Sequence, residues 1–203
     1  MWNFQCECAL CLVEAQVPEA VLAKRDGLAH EAAAFMSRTS SRRGTTERQV
    51  LQAEKFAREI AATYDGNLYS NLPRTALVDI QAWIANTTTA CPNLERSKQT
   101  LPNILRSLGF EVEEHDGIIE TISPTPNSIM TGIAHVIWSP LVAHALQYRR
   151  AGRTQAATCL TEFARALDRI LNGTDAETDR VFDAYSKLPS HHPARTGVEA
   201  NAS

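Results

Sequence analysis

The chain has 203 residues, 44% of them hydrophobic and 21% charged, with a net charge of −3. That balance excludes disorder over the whole length and suits one domain with a sizeable core, while the slight acidity argues against direct nucleic-acid binding, which usually needs a basic surface. No uninterrupted apolar run approaches the ~20 residues that cross a bilayer, and the segment from Met1 to Cys6 lacks the basic and apolar regions of a signal peptide. An intracellular protein, nuclear or cytoplasmic and without a membrane partner, is expected.

The chain opens on a short cysteine-rich segment, residues 1–12. Cys6, Cys8 and Cys11 fall within it, whereas Cys91 and Cys159 stand far apart. In a reducing compartment, clustered cysteines are more often metal ligands than disulfide partners. The spacing C-x-C-x2-C lets three thiolates wrap one zinc ion, which favours soft sulfur ligands but wants four of them. The simpler alternative is three small residues packed at a terminus.

Residues 13–188 read as a helical domain. Pro18 and Glu19 open the first predicted helix, with Val21, Leu28, Ala29, Ala32, Phe35 and Met36 at helical spacing. A polar break over 39–44 precedes Thr46 and Gln49, a capping box. The next helix carries Ala53, Phe56, Ala57, Ile60, Ala61 and Tyr64 on one face. A third is expected from about Pro73 to Thr87, with Ala76, Leu77, Ile80, Trp83 and Ile84 as its stripe. A shorter fourth holds Leu101, Ile104, Leu105 and Leu108, with Pro102 in its first turn and Gly109 at its stop.

From Phe110 to Asn127 the helical period breaks. Asp116-Gly117 between two mixed runs fits a hairpin turn, and an irregular acidic loop fits equally. Ser123-Pro124-Thr125-Pro126 reads as irregular. Ile129 to Ala151 forms a helix buried on most sides, kinked or split at Pro140. The next helix has Ala157, Leu160, Phe163, Ala164, Leu167 and Leu171, and ends at Asn172-Gly173. Thr174 and Glu177 suggest a second capping box before a last helix with Val181, Phe182, Tyr185 and Leu188. Residues 189–203 read as a flexible tail. The expectation is an all-α array of about seven helices. Tyr148, Gly152, Ala157 and Ala164 fall at spacings that resemble one TPR unit, and an ordinary helical hairpin fits equally.

The lead-in of Trp2 and Phe4 followed by Cys6, Cys8 and Cys11 resembles the post-SET segment that closes SET-domain protein lysine methyltransferases. The likeness is to the SET and MYND group and its fungal relatives, which continue into a helical, TPR-like region. The motif covers residues 2–11 only. The resemblance implies that Cys6, Cys8 and Cys11 ligate zinc and that the fourth ligand is a cysteine of the upstream SET core. It also implies that Phe4 packs near S-adenosylmethionine and the lysine channel, Trp2 being the alternative aromatic. Nothing between Leu12 and Ser203 reads as the SET core, so the chain looks like the C-terminal piece of such an enzyme. It is then expected to lack catalytic residues, to be inactive alone, and to hold an incomplete zinc site. S-adenosylmethionine would bind only the full-length parent. The alternative is a non-enzymatic helical scaffold that takes a protein or peptide in a TPR-like groove.

Other polar residues read as structural. His135 and His144 fall on different faces of an apolar helix. His191 and His192 lie in the tail. Asp175, Glu177, Asp179 and Asp183 sit near a helix start, where acids complement the dipole. Arg38, Arg42, Arg43 and Arg48 form a modest basic loop patch. Cys91, Cys159 and His30 are the places to look for a fourth ligand should one exist within the chain.

Overall fold

The computed structural model describes residues 6–40, 45–89 and 94–186. Among these the protein is an all-α array of eight α-helices with one small two-stranded sheet. The helices are α1 (Ala9–Glu14), α2 (Glu19–Ser40), α3 (Glu47–Ala61), α4 (Val78–Thr89), α5 (Leu94–Ser107), α6 (Trp138–Arg150), α7 (Thr154–Asn172) and α8 (Ala176–Ser186). Strands β1 (Phe110–His115) and β2 (Ile118–Pro124) lie between α5 and α6. No helix among the described residues is long and apolar enough to cross a membrane.

The core divides into two clusters that share α4. One face of α4 sends Ile80 and Ile84 to an N-terminal cluster with Ala32, Val50, Ala53 and Ile60. The other sends Val78, Ala82 and Ala85 to a C-terminal cluster with Leu105, Leu141, Leu160 and Leu167. The apolar spacing over 76–84 traces only the first of these faces. Phe35 fixes the N-terminal cluster by edge and tilted contacts to Phe56 and Trp83, with ring centroids 5.7 and 5.6 Å away.

The start of α3 is the capping box expected from Thr46 and Gln49. The Gln49 N–H donates to Thr46 Oγ1 at 3.4 Å, and the Thr46 N–H donates to Gln49 Oε1 at 2.7 Å. Pro140 occupies the third position of α6, where its missing N–H has no intrahelical acceptor to lose. The helix therefore starts at Trp138, after a 3-10 turn over Gly132–Ile137, rather than at Ile129.

Three expectations need correction. Pro102 lies inside α5, not in its first turn, because that helix begins at Leu94. One lost hydrogen bond is outweighed there by Leu101, Ile104, Leu105 and Leu108, all fully buried. Ser123 and Pro124 are the last residues of β2, where Pro124 pairs with Phe110 at the end of an edge strand and donates to no ladder. Lastly, Thr174 and Glu177 make no capping box. Thr174 Oγ1 accepts from the Ala176 N–H at 3.2 Å and Glu177 pairs with Arg180. The Thr178 N–H at the start of α8 is instead taken by Asp168 Oδ2, reaching across from α7 at 2.9 Å.

Phe110 to Pro124 is the hairpin, not the irregular loop. Asp116 and Gly117 have φ of +51° and +70° between the paired His115 and Ile118, the two left-handed residues that a tight two-residue turn requires. The hairpin lays Phe110 against Phe163 of α7, edge to face at 5.0 Å. Gly109, at φ +85°, ends α5, and a Cβ there would press on the Asn127 carbonyl and the Pro73 ring. The helices α6 and α7 form a helical hairpin turned by Gly152 at φ +70°, with Tyr148, Ala157 and Ala164 buried along it. Leu188 and residues 189–203 lie outside the described residues.

Candidate metal centre

Three thiols meet at the start of α1. Cys8 precedes the helix in extended backbone (φ −67°, ψ 156°), and Cys11 sits one turn on, so the two face the same side. Cys6, two residues earlier, folds back onto them. The three sulfurs lie within 4.8 Å of one another. A metal with ~2.3 Å bonds to sulfur in tetrahedral geometry brings sulfurs to about 3.8 Å apart, so binding needs only a small contraction. The set can hold a metal ion.

Cys6 and Cys8 are exposed and Cys11 is half-buried, all three as free thiols. Their protons are shared unevenly. The Cys8 thiol is held below its ordinary value, first by the Cys11 backbone N–H, which points at its sulfur without closing a capping hydrogen bond, and then by the Cys11 and Cys6 thiols. Cys11 is pushed up to about 12, chiefly because its thiol proton serves the Cys8 sulfur. Cys8 thus ionises more readily than Cys11, and a bound metal would displace the protons that remain.

The group has no fourth member among the described residues. Cys159 belongs to the C-terminal cluster, where burial pushes its thiol up beside the Ile122 backbone. His30 is exposed on α2. Cys91, Trp2 and Phe4 lie outside the described residues, as do Arg42, Arg43, His191 and His192. His135 and His144 do not converge: His144 is fully buried with Nδ1 donating to the Pro140 carbonyl at 2.7 Å, while His135 is exposed and turned to the Gly132 carbonyl. The acidic group at α8 is structural, Asp175 pairing with Arg169 and Asp179 with Arg165, each at 2.8 Å.

What holds the cysteine helix to the body was not singled out in the sequence. Leu10 and Val13 of α1 pack on the N-terminal cluster. Glu14 pairs with Arg25 of α2 at 3.3 Å, and Arg25 is only 3% exposed. The Arg25 guanidinium also donates to Thr63 Oγ1 (3.1 Å), the Thr63 carbonyl (3.0 Å) and the Tyr69 hydroxyl (3.0 Å), and lies 3.8 Å over the Tyr64 ring. A signal was present: Val21, Arg25, Leu28 and Ala32 follow one helical face, and a charge inside an apolar stripe marks a buried, paired group.

No protein-family model matches the chain, and no curated protein or solved structure is similar to it.

Proposed function

We propose that the chain is the C-terminal part of a SET-domain protein lysine methyltransferase, a zinc-binding post-SET-like segment joined to a helical, TPR-like platform. The carrying observation is the convergence of the Cys6, Cys8 and Cys11 sulfurs to within 4.8 Å at C-x-C-x2-C spacing. A sulfur-only donor set suits zinc, whose role there is structural: it pins a short segment that has little core of its own. Three donors leave one tetrahedral position for a cysteine of the SET core. The Arg25–Glu14 pair ties the end of α1 to α2. In the parent enzyme the methyl group passes from S-adenosylmethionine to a lysine amine within the SET core, with Phe4 at the edge of that pocket. No residue of this chain is assigned a catalytic role.

The test is the coding sequence upstream of Met1. An in-frame SET core there, co-purifying with this region as a zinc protein that binds S-adenosylmethionine, is the expected result. The chain alone should bind S-adenosylmethionine negligibly by calorimetry, since one edge does not make a pocket. Absence of an in-frame SET core would overturn the reading. It would favour a helical scaffold that binds a peptide, supported by the α6–α7 hairpin and the groove of about 480 Å³ beside α7 and α8.

A further inference from the structure

Between the two core clusters, α3, the turn before α4, α5 and the start of β1 enclose a cleft of about 490 Å³. Three arginines, Arg58, Arg74 and Arg106, line it, although the whole chain is net acidic. Arg106 is held by Glu114 at 3.3 Å and by the Val112 carbonyl. The guanidinium groups of Arg58 and Arg74 have no ion-pair or hydrogen-bond partner among the described residues. The Arg74 N–H donates to the Ser107 carbonyl at 2.7 Å, which fixes its backbone at the edge of the cleft it lines.

Three arginines facing one cleft whose lining holds a single carboxylate, Glu111, leave an excess of positive charge there. A shared anion offsets that excess, and the guanidinium fork matches a carboxylate or a phosphate in two parallel hydrogen bonds. Two further features choose between these anions. Glu111 lines the same cleft, so a second negative charge on the ligand would meet a carboxylate. Leu72, Leu77 and Phe110 supply an apolar wall, and the volume far exceeds that of a bare inorganic ion.

We propose that this cleft binds a monoanionic carboxylate attached to an apolar group, with the carboxylate on Arg58 and Arg74 and the apolar part against Leu72, Leu77 and Phe110. Such a group is offered by the free C-terminus of a peptide or by a small organic acid. The site is separate from the cysteine centre and does not depend on the reading given to it.

The experiment is a calorimetric and NMR titration of the full chain with four probes. These are an N-acetylated tripeptide ending in leucine with a free carboxylate, the same peptide amidated, 3-phenylpropionate, and inorganic phosphate. Saturable binding of the free-acid peptide or of 3-phenylpropionate is expected, with shifts at the Leu77 and Phe110 amides, and whichever of the two binds more tightly identifies the source. Amidation should weaken the peptide at least about tenfold, the expected cost of losing a charge-assisted bidentate contact. Arg58→Gln and Arg74→Gln should each weaken binding to a similar degree with helical circular dichroism unchanged. Since Arg58 is exposed, the first variant remains a fair test if the second misfolds. Equal binding of the amidated peptide, tighter binding of phosphate than of either carboxylate, or no saturation by any carboxylate probe at millimolar concentration would each overturn the proposal.

Discussion

The two core clusters are closed by opposite means. The N-terminal one is stitched around a buried cation, Arg25, which ties α1, α2 and the residues after α3 through hydrogen bonds and the faces of Tyr64 and Tyr69. The C-terminal one is closed around a buried anion, Asp168, 1% exposed, which accepts from Asn172 Nδ2 at 2.7 Å and from the Thr178 N–H at 2.9 Å. In each case one charge satisfies donors or acceptors that a neighbouring element would otherwise leave unpaired. The difference lies in what is attached. Arg25 carries the cysteine helix; Asp168 carries only the start of α8. The cysteine-bearing end of the molecule is therefore tied down through a buried cation, and the last helix through a buried anion.

The sharpest way to break this contrast is Arg25→Met. Removing Arg25 leaves the buried Thr63 carbonyl without its donor and forfeits the contact with the Tyr64 ring, a loss of about 2–4 kcal/mol, since Glu14 is left half-exposed rather than buried. Urea unfolding should show that loss, and α1 amides should lose exchange protection first. Asp168→Ala should cost less, about 1–3 kcal/mol, the penalty for stranding buried donors. Its effect should also depend on pH. Burial by itself would raise the Asp168 carboxyl, but the bonds from Asn172 and Thr178 outweigh it and hold the group below the ordinary carboxylate value. A lowered folded value means that Asp168 stabilises the fold above its unfolded pKa of about 3.9 and ceases to do so as pH falls through its folded value. The gap between wild type and Asp168→Ala, measured by denaturation at a series of pH values, should narrow below about pH 4.

Smaller effects sharpen the same comparison. Thr46→Ala should cost roughly 1 kcal/mol, since it removes a cap on an exposed helix end. Replacing Cys6, Cys8 and Cys11 with Ser should leave the metal-free melting midpoint and helical circular dichroism nearly unchanged, because the first two are exposed and the third only half-buried. A collapse of helicity would show that the cysteines organise the core.

Helix positions were legible where apolar spacing and local chemistry agreed, as at Pro18, Thr46 with Gln49, and Gly173, whose φ of +73° closes α7. Asp116-Gly117 allowed a turn but not a decision, because alternation in the flanking runs is broken by a bulge at Glu113 and Glu114. The failures share a cause. Pro102 and Pro124 were read by their local cost, while tertiary burial and an edge position decided their place. The cap of α8 comes from Asp168, ten residues upstream, where no local box could reveal it. The cysteine trio was legible because its ligands are adjacent in sequence. The arginine cleft was not, since Arg58, Arg74 and Arg106 are far apart in sequence and meet only in the fold.

The Cys6, Cys8 and Cys11 group could hold a metal ion, and the proposed reading is that this ion is zinc with one position left for a further ligand. The direct measurement is native mass spectrometry of the chain with zinc, beside a competition titration with a chelator of known affinity, repeated at lower pH. The account predicts one zinc per chain, abolished by the triple Ser variant and readily surrendered to the chelator. Because the Cys11 thiol, pushed up to about 12, must give up its proton on binding, affinity should fall as pH falls. No zinc uptake, or zinc that persists in the triple Ser variant, would contradict it.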